Sequence, residues 1–295
     1  MTHTFPFIAL VAGITAAVSW GVSDFIAAKA SKRTSPLLIS LLVLVTGAIA
    51  YSFIYFLGLS HHHMWSAEGI VLGAASGLLM TLALTAYYTG LSIGPVSIVS
   101  PIGAAYPLIT TLLVILLFKS HLTLPQAFGI VLTVSGIMVA SGLLQNKLSE
   151  WRLNMGAIWA IVAFLFWGLL FALLGKAISL LGWQKGSLIE VWFTVVGCLI
   201  ALPFVKLKTL LTVKSLKVAL NKYVLIVSAL QLLGVVALNL GFTHTTSTAV
   251  IITISACYPV LTVVLAYIFF KERLNLFTKF GVVATIVGVA IISYF

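Results

Sequence analysis

YPLITTLLVILLFKSHLTLPQAFGIVLTVSG, residues 106–136, returns as YPVLTVVLAYIFFKERLNLFTKFGVVATIVG at residues 258–288, an offset of 152 positions. Thirteen of the 31 positions are identical, among them Tyr106, Pro107, Thr110, Lys119, Gly129, Thr133 and Gly136. Chance in so apolar a chain would give about three or four. The chain therefore carries an internal duplication. The starts of the two halves agree more loosely, Trp20-Gly21 with Lys29 answering to Trp167-Gly168 with Lys176.

The duplicated segment is almost wholly apolar, and so is its surrounding sequence. Of 295 residues, 62% are hydrophobic and 7% charged, with a mean hydropathy of +1.22. A soluble domain carries about 25% charged residues, so the solvent for this surface is lipid. The net charge of +11 arises from 16 Lys and Arg against 5 acids, with the bases in short gaps between apolar runs. That is topology-setting charge rather than a phosphate-binding face, and no RNP, zinc-finger or basic-helix pattern accompanies it, so nucleic acid is not an expected partner. Cys198 and Cys257 lie inside apolar runs and read as small core residues rather than a disulfide framework. Met1-Thr2-His3-Thr4 has no basic n-region and no small-residue cleavage site follows its apolar run, so that run reads as a retained span.

A spanning helix needs roughly 20 apolar residues. Ten runs qualify: 7–28, 36–58, 69–89, 95–117, 125–144, 155–181, 187–205, 223–242, 246–270 and 276–294. Proline stands at or near the start of several, as in Ser35-Pro36, Gly94-Pro95 and Leu124-Pro125, where its missing N–H costs least. The duplication divides them into two five-helix repeats, residues 1–145 and 146–295. Five is odd, so the second repeat inserts upside down relative to the first. The expected fold is an all-α membrane protein of ten transmembrane helices arranged as two inverted five-helix repeats, a recurring plan of secondary carriers. Gly129 and Gly136 match Gly281 and Gly288, and small residues at such spacing let the fifth and tenth helices pack closely as a scaffold between the halves.

Two acids fall within spans, Asp24 in the first and Glu190 in the seventh. An ionised carboxylate in lipid is expensive and normally faces a cavity or a partner. For Asp24 a cavity position and an ion pair with Lys29 or Lys32 both stay open; Glu190 reads more simply as a partner of Lys185 or Lys176 near the start of its span. Neither acid has an acidic match in the other half. Pro107 and Pro259 occupy matched mid-span positions, predicting a kink in the fourth and ninth helices with the carbonyls of Gly103 and Ser255 freed. Around them lie Ser97, Ser100, Pro101 and Tyr106 in one half and Thr253, Ser255 and Tyr258 in the other. A polar, kinked helix in each half points to a binding site at mid-membrane, against the plainer reading of hydroxyls bonded back to their own helix. Trp20 and Trp167 are candidate cavity aromatics, although a tryptophan in a span is more often packing or an interface anchor. His61-His62-His63 and His244 read as solvated turn residues, with no acid or cysteine cluster to make a metal site.

No HExxH, GxSxG or Walker pattern occurs, which argues against a protease, a hydrolase and an ATP-driven pump. The chain resembles the drug/metabolite transporter superfamily, specifically its ten-span EamA-like members. The resemblance rests on Trp20-Gly21-Val22-Ser23-Asp24-Phe25, Trp167-Gly168, Tyr106-Pro107, Tyr258-Pro259 and Phe270-Lys271-Glu272-Arg273-Leu274. The first half departs from the last of these, reading Lys119-Ser120-His121. The resemblance implies a multi-pass carrier of the inner (plasma) membrane for a small metabolite, amino acid or drug-like solute, often an exporter, working by alternating access and either coupled to protons or another ion or simply facilitative. It implies no catalytic group and no cofactor, and a monomer or homodimer in contact with membrane lipid. The first, fourth, sixth and ninth helices are expected to line the site, and the candidate site residues are Trp20, Asp24, Ser100, Tyr106, Pro107, Trp167, Glu190, Ser255, Tyr258 and Pro259. The rivals are a membrane-embedded lipid-modifying enzyme using Asp24, Glu190 or His244, and a passive pore.

Charge also predicts orientation. Loops on one side hold 13 bases: Lys29, Lys32, Arg33, Lys147, Arg152, the five lysines of 206–222, Lys271, Arg273 and Lys279. The side with both termini holds 3, Lys119, Lys176 and Lys185. The positive-inside rule places the basic loops in the cytoplasm and both termini outside, whereas ten-span members of the resembling family are generally described with both termini inside. C-terminal reporter fusions decide between these: phosphatase activity without fluorescence is the expected result, and cytoplasmic fluorescence would overturn the charge argument.

Overall fold

The structure, a computed structural model, describes residues 7–31, 36–57, 65–94, 96–140, 155–201, 222–245, 247–261 and 276–294. Lys32, His61 to His63, the lysine-rich segment 206–221 and Phe270 to Leu274 lie outside them. The first repeat comprises α1 (Phe7–Ser31), α2 (Pro36–Phe56), α3 (Ala67–Ile93), α4 (Val96–Ala104), α5 (Pro107–Phe118) and α6 (Leu124–Ala140). The second comprises α7 (Met155–Leu181), α8 (Trp183–Ala201), α9 (Lys222–Thr243), α10 (Thr248–Ser255) and α11 (Leu276–Tyr294). No strand occurs among the described residues. Among the described residues, seven helical stretches are long and apolar enough to cross a membrane, and three shorter apolar ones stand where the remaining spans are expected.

The helices are built outside-in relative to a soluble bundle. On α8 the buried positions include Gln184, Ser187, Glu190, Val191, Thr194 and Cys198, spaced by three or four residues, while Trp192, Phe193, Leu199 and Ile200 are exposed. One stripe carries the polar and small groups, and the lipid-facing side carries bulk hydrophobes. Only helices satisfy their backbone this way in hydrocarbon, and small inward residues supply the close contacts that water would otherwise drive.

The contacts between helices respect the duplication. The most extensive interfaces pair α3 with α7, α6 with α11, and α1 with α9. Exchanging the two halves converts the α3–α7 interface into the α9–α1 interface and maps α6–α11 onto itself, as an isologous contact requires. The α6–α11 seam shows this at atomic scale. A methyl group at Gly136 would meet the Thr285 nitrogen at 2.6 Å, and one at Gly288 would meet the Thr133 nitrogen at 2.8 Å; Thr133 and Thr285 are themselves the duplicated pair. Backbone touches backbone here, so the scaffold expected from the glycine pattern is present.

The fourth and ninth spans are broken more sharply than a kink. α4 ends at Ala104, Ala105 and Tyr106 form a turn, and Pro107 takes the first position of α5, where a proline costs nothing. In the ninth span the turn falls at Ala256 and Cys257, and helix resumes at 258. The Gly103 carbonyl, expected to be freed, accepts the Tyr106 N–H at 3.4 Å, and the Ile254 carbonyl accepts the Cys257 N–H at 3.2 Å. These tightened turns meet part of the backbone need without a watery cavity. The Trp-Gly pairs have a matching role. A methyl at Gly21 would meet the Tyr258 carbonyl at 2.8 Å, and one at Gly168 would run into Ile109. Each glycine thus seats the partner half's broken helix, and Thr110 Oγ1 donates to the Gly168 carbonyl at 3.0 Å.

Overpacking a close seam costs about 1–3 kcal/mol. Gly136→Val and Gly288→Val should therefore lower the unfolding midpoint of the detergent-solubilised protein. Phe128→Leu, at a lipid-facing position of α6, should leave it within experimental error. Equal midpoints for all three variants would sink the scaffold assignment.

Candidate functional site

A cavity of about 90 Å³ opens where the two repeats meet, room for several water molecules or the core of a small solute. Its lining comes from both halves: Trp20 and Asp24 of α1, Val43, Leu44, Gly47 and Tyr51 of α2, Met80, Leu84 and Tyr87 of α3, and Tyr106. The second repeat supplies Trp167 and Phe171 of α7, Glu190, Val191 and Thr194 of α8, Gln231, Leu232 and Val235 of α9, and Tyr258. α6 and α11 contribute none of these. The lining is thus wider than the first, fourth, sixth and ninth helices the sequence proposes, and takes in α2, α3, α8 and α9 as well.

Six of the ten expected site residues stand on this wall: Trp20, Asp24, Tyr106, Trp167, Glu190 and Tyr258. Ser100, Pro107, Ser255 and Pro259 are buried beside it and do not line it. The prolines follow the tyrosines by one residue, in the first turn of the next helical segment, and the tyrosines rather than the prolines line the cavity. Ser255 Oγ donates to the Ile252 carbonyl at 2.8 Å and lies 3.4 Å from the Tyr106 hydroxyl. It joins the two broken spans instead of facing the void.

Asp24 is buried, and the Tyr87 hydroxyl donates to its Oδ2 at 2.6 Å. Of the two readings open for Asp24, its carboxyl is in the cavity wall. Glu190 departs from its expected role beside a lysine. It is only 2% exposed, lines the cavity, and leaves Oε2 without a hydrogen-bond partner among the described residues. The Lys185 ammonium lies 4.8 Å from the centre of the Trp65 ring, a cation–π position. Two of the chain's five acids therefore enter one cavity.

Aromatic rings make up much of the rest. Tyr106 packs on Phe171 at 4.9 Å and on Trp167 at 5.9 Å between ring centres. Tyr87 meets Trp167 at 4.8 Å, and Trp20 meets Tyr258 edge-on at 6.5 Å. Trp20 and Trp167, more simply read as packing or anchors, stand in the wall as matched members of the two repeats. Gly103 leaves room for this cluster, since a methyl there would meet Tyr87 at 3.0 Å and Trp167 at 3.3 Å. Tyr51 is held from behind by Asn239 Nδ2, which donates to its hydroxyl at 3.4 Å and to Ser187 Oγ at 2.7 Å. Of the lining residues absent from the sequence reading, Gln231 carries a signal as a polar group in an apolar span, whereas Tyr51, Tyr87 and Phe171 carry none.

The model of the EamA-like transporter family matches residues 7–142 and again 154–294. An uncharacterized protein of Methanocaldococcus jannaschii is 34% identical over 135 residues, which span 45% of this chain and 96% of that protein; that relative is about one repeat long. A solved crystal structure superposes with a TM-score of 0.71 at 14% identity, over 96% of this chain and 95% of the other, which is a likeness of fold.

Removing a donor from a buried carboxylate costs about 1–3 kcal/mol. In a double-mutant cycle followed by reversible SDS unfolding, Tyr87→Phe should therefore destabilise the native protein clearly more than it destabilises an Asp24→Asn background. A coupling indistinguishable from zero would show that the Tyr87–Asp24 hydrogen bond does not contribute to the folded state.

Proposed function

The chain belongs to the EamA-like transporter family, a family of membrane transporters of small solutes, and from its central cavity we propose that it is a secondary carrier working by alternating access. The observation that carries this is a cavity walled by matched residues of two inverted repeats, with Trp20 and Tyr106 from one and Trp167 and Tyr258 from the other. Two equivalent halves exchange conformations at little energetic cost, and the exchange opens a midplane site to either side in turn. The broken spans support the reading, because Tyr106 lies in one turn and Tyr258 directly follows the other, where the backbone is least constrained by helical hydrogen bonds.

The solute is a small organic molecule, moved outward across the plasma membrane, with protons or another ion supplying the gradient. Asp24 and Glu190 are the groups through which a coupling ion would act, being carboxylates in the cavity wall. Trp20, Trp167, Tyr106 and Tyr258 bind the solute body. The enzyme alternative loses support from the placement of its groups: His244 is exposed at the end of α9, apart from the cavity that Asp24 and Glu190 share.

Reconstituted vesicles loaded with a mixed metabolite pool test the proposal, with and without a pH gradient. Saturable efflux with accelerated exchange against the same solute on the far side is expected, and Asp24→Asn should insert normally yet change flux or its pH dependence. Linear, non-saturating flux without exchange would establish a pore, and unaltered transport by Asp24→Asn at every pH would remove that carboxylate from the mechanism.

A further inference from the structure

We infer that the cavity selects an organic cation with an apolar body, an assignment that rests on the carrier reading above and narrows its substrate class. Among the described residues the cavity wall includes two carboxylates, Asp24 and Glu190, and no lysine, arginine or histidine. This is against the grain of the chain as a whole, in which 16 bases face 5 acids. The bases lie at the ends of spans; the cavity concentrates the opposite sign.

The two carboxylates are unequal. Asp24 accepts the Tyr87 hydroxyl at 2.6 Å, so one of its oxygens is already engaged by the protein. Glu190 is buried to 2% exposure with Oε2 unpartnered among the described residues. An unmet acceptor at that depth is costly, and a cationic group on a bound solute is the partner that offsets the cost most fully, because hydrogen bonds to charged groups are the stronger ones. The remaining wall suits the rest of such a molecule. Val43, Leu44, Leu84 and Leu232 give an apolar surface, and Trp20, Trp167, Phe171 and Tyr106 offer ring faces that attract a positive charge. A carboxylate-bearing solute fares worse. It would face two like charges, with no lysine, arginine or histidine among the described lining residues to offset them. The ranking that follows is cation above neutral isostere, with zwitterion and anion last.

The test uses the full-length protein in nanodiscs, with binding read from quenching of intrinsic tryptophan fluorescence and from thermal stabilisation. The probes are benzyltrimethylammonium, benzyl alcohol, phenylalanine and phenylacetate; the first carries a charge that pH does not change. Benzyltrimethylammonium should bind at least about tenfold more tightly than each of the others. Glu190→Gln, which conserves shape, should reduce that preference to within about threefold, and Asp24→Asn should reduce it by a smaller factor. Comparable binding of phenylacetate or phenylalanine by the wild-type protein would overturn the inference without any variant, and so would an undiminished cation preference in both variants. Saturable vesicle transport of an anionic or neutral solute with no cation binding would overturn the cation assignment and leave the carrier reading standing. Cation binding with no saturable flux of any solute would do the reverse.

Discussion

A helix in hydrocarbon stops only where its backbone finds other partners, and this chain stops a helix in mid-membrane twice. Everything at the centre of the molecule follows from how those two stops are accommodated. Each falls at a Tyr-Pro step, each is tightened by turn hydrogen bonds, and the Tyr106 hydroxyl and Ser255 Oγ bring the two regions within 3.4 Å of one another. The broken ends need small neighbours, which Gly21 and Gly168 provide from the opposite repeat. Once those glycines are in place, the tryptophans beside them are carried into the same space, and a cavity walled by aromatic rings results.

The duplication and the differences between its copies serve separate purposes. Trp20 and Trp167, Gly21 and Gly168, and Tyr106 and Tyr258 are shared, and they build the frame that either half can present to the other. The acids are not shared. Counting from the Trp-Gly pairs, the position that matches Asp24 is Phe171, and both residues line the cavity. A carboxylate thus stands across from a phenyl ring at equivalent places in the frame. Symmetric residues account for how the molecule could exchange between two states; the asymmetric ones account for what it would hold while doing so.

Much of this was legible in the sequence, and the parts that were not have specific causes. The repeat, the ten spans and the breaks follow from identities at a fixed offset and from proline chemistry, which are local signals. The depth of Glu190 is hidden because the apolar run of its span starts at 187; α8 begins at Trp183, so the carboxylate lies about two turns inside the helix rather than at its mouth. Trp183, Gln184 and Lys185 looked like loop, and only packing shows that Gln184 is buried. α1 likewise extends to Ser31, which places Asp24 deeper than its distance from the apolar boundary indicated. Tyr51 and Tyr87 gave no distinguishing signal, because a tyrosine in a span serves packing, an interface or a site equally well. Their roles come from partners 188 and 63 residues away in sequence, Asn239 and Asp24.

The distribution of tight and loose packing bears on how such a molecule would move. At the α6–α11 seam the backbones are so close that a single added methyl would meet main-chain atoms of the facing helix at 2.6 to 2.8 Å. Neither helix lines the cavity. Contacts of that kind resist separation but allow little else, which suits a pivot. The cavity wall is the opposite: rings meet at tilted and edge-on angles with centres 4.8 to 6.5 Å apart, arrangements that lie within a broad range of favourable aromatic geometries. Rings of this kind can re-stack at small cost while a glycine seam cannot. Relative motion of the two repeats would therefore be taken up at the cavity rather than at the seam, and the aromatic residues proposed to bind the solute would be the same ones that yield in such a motion.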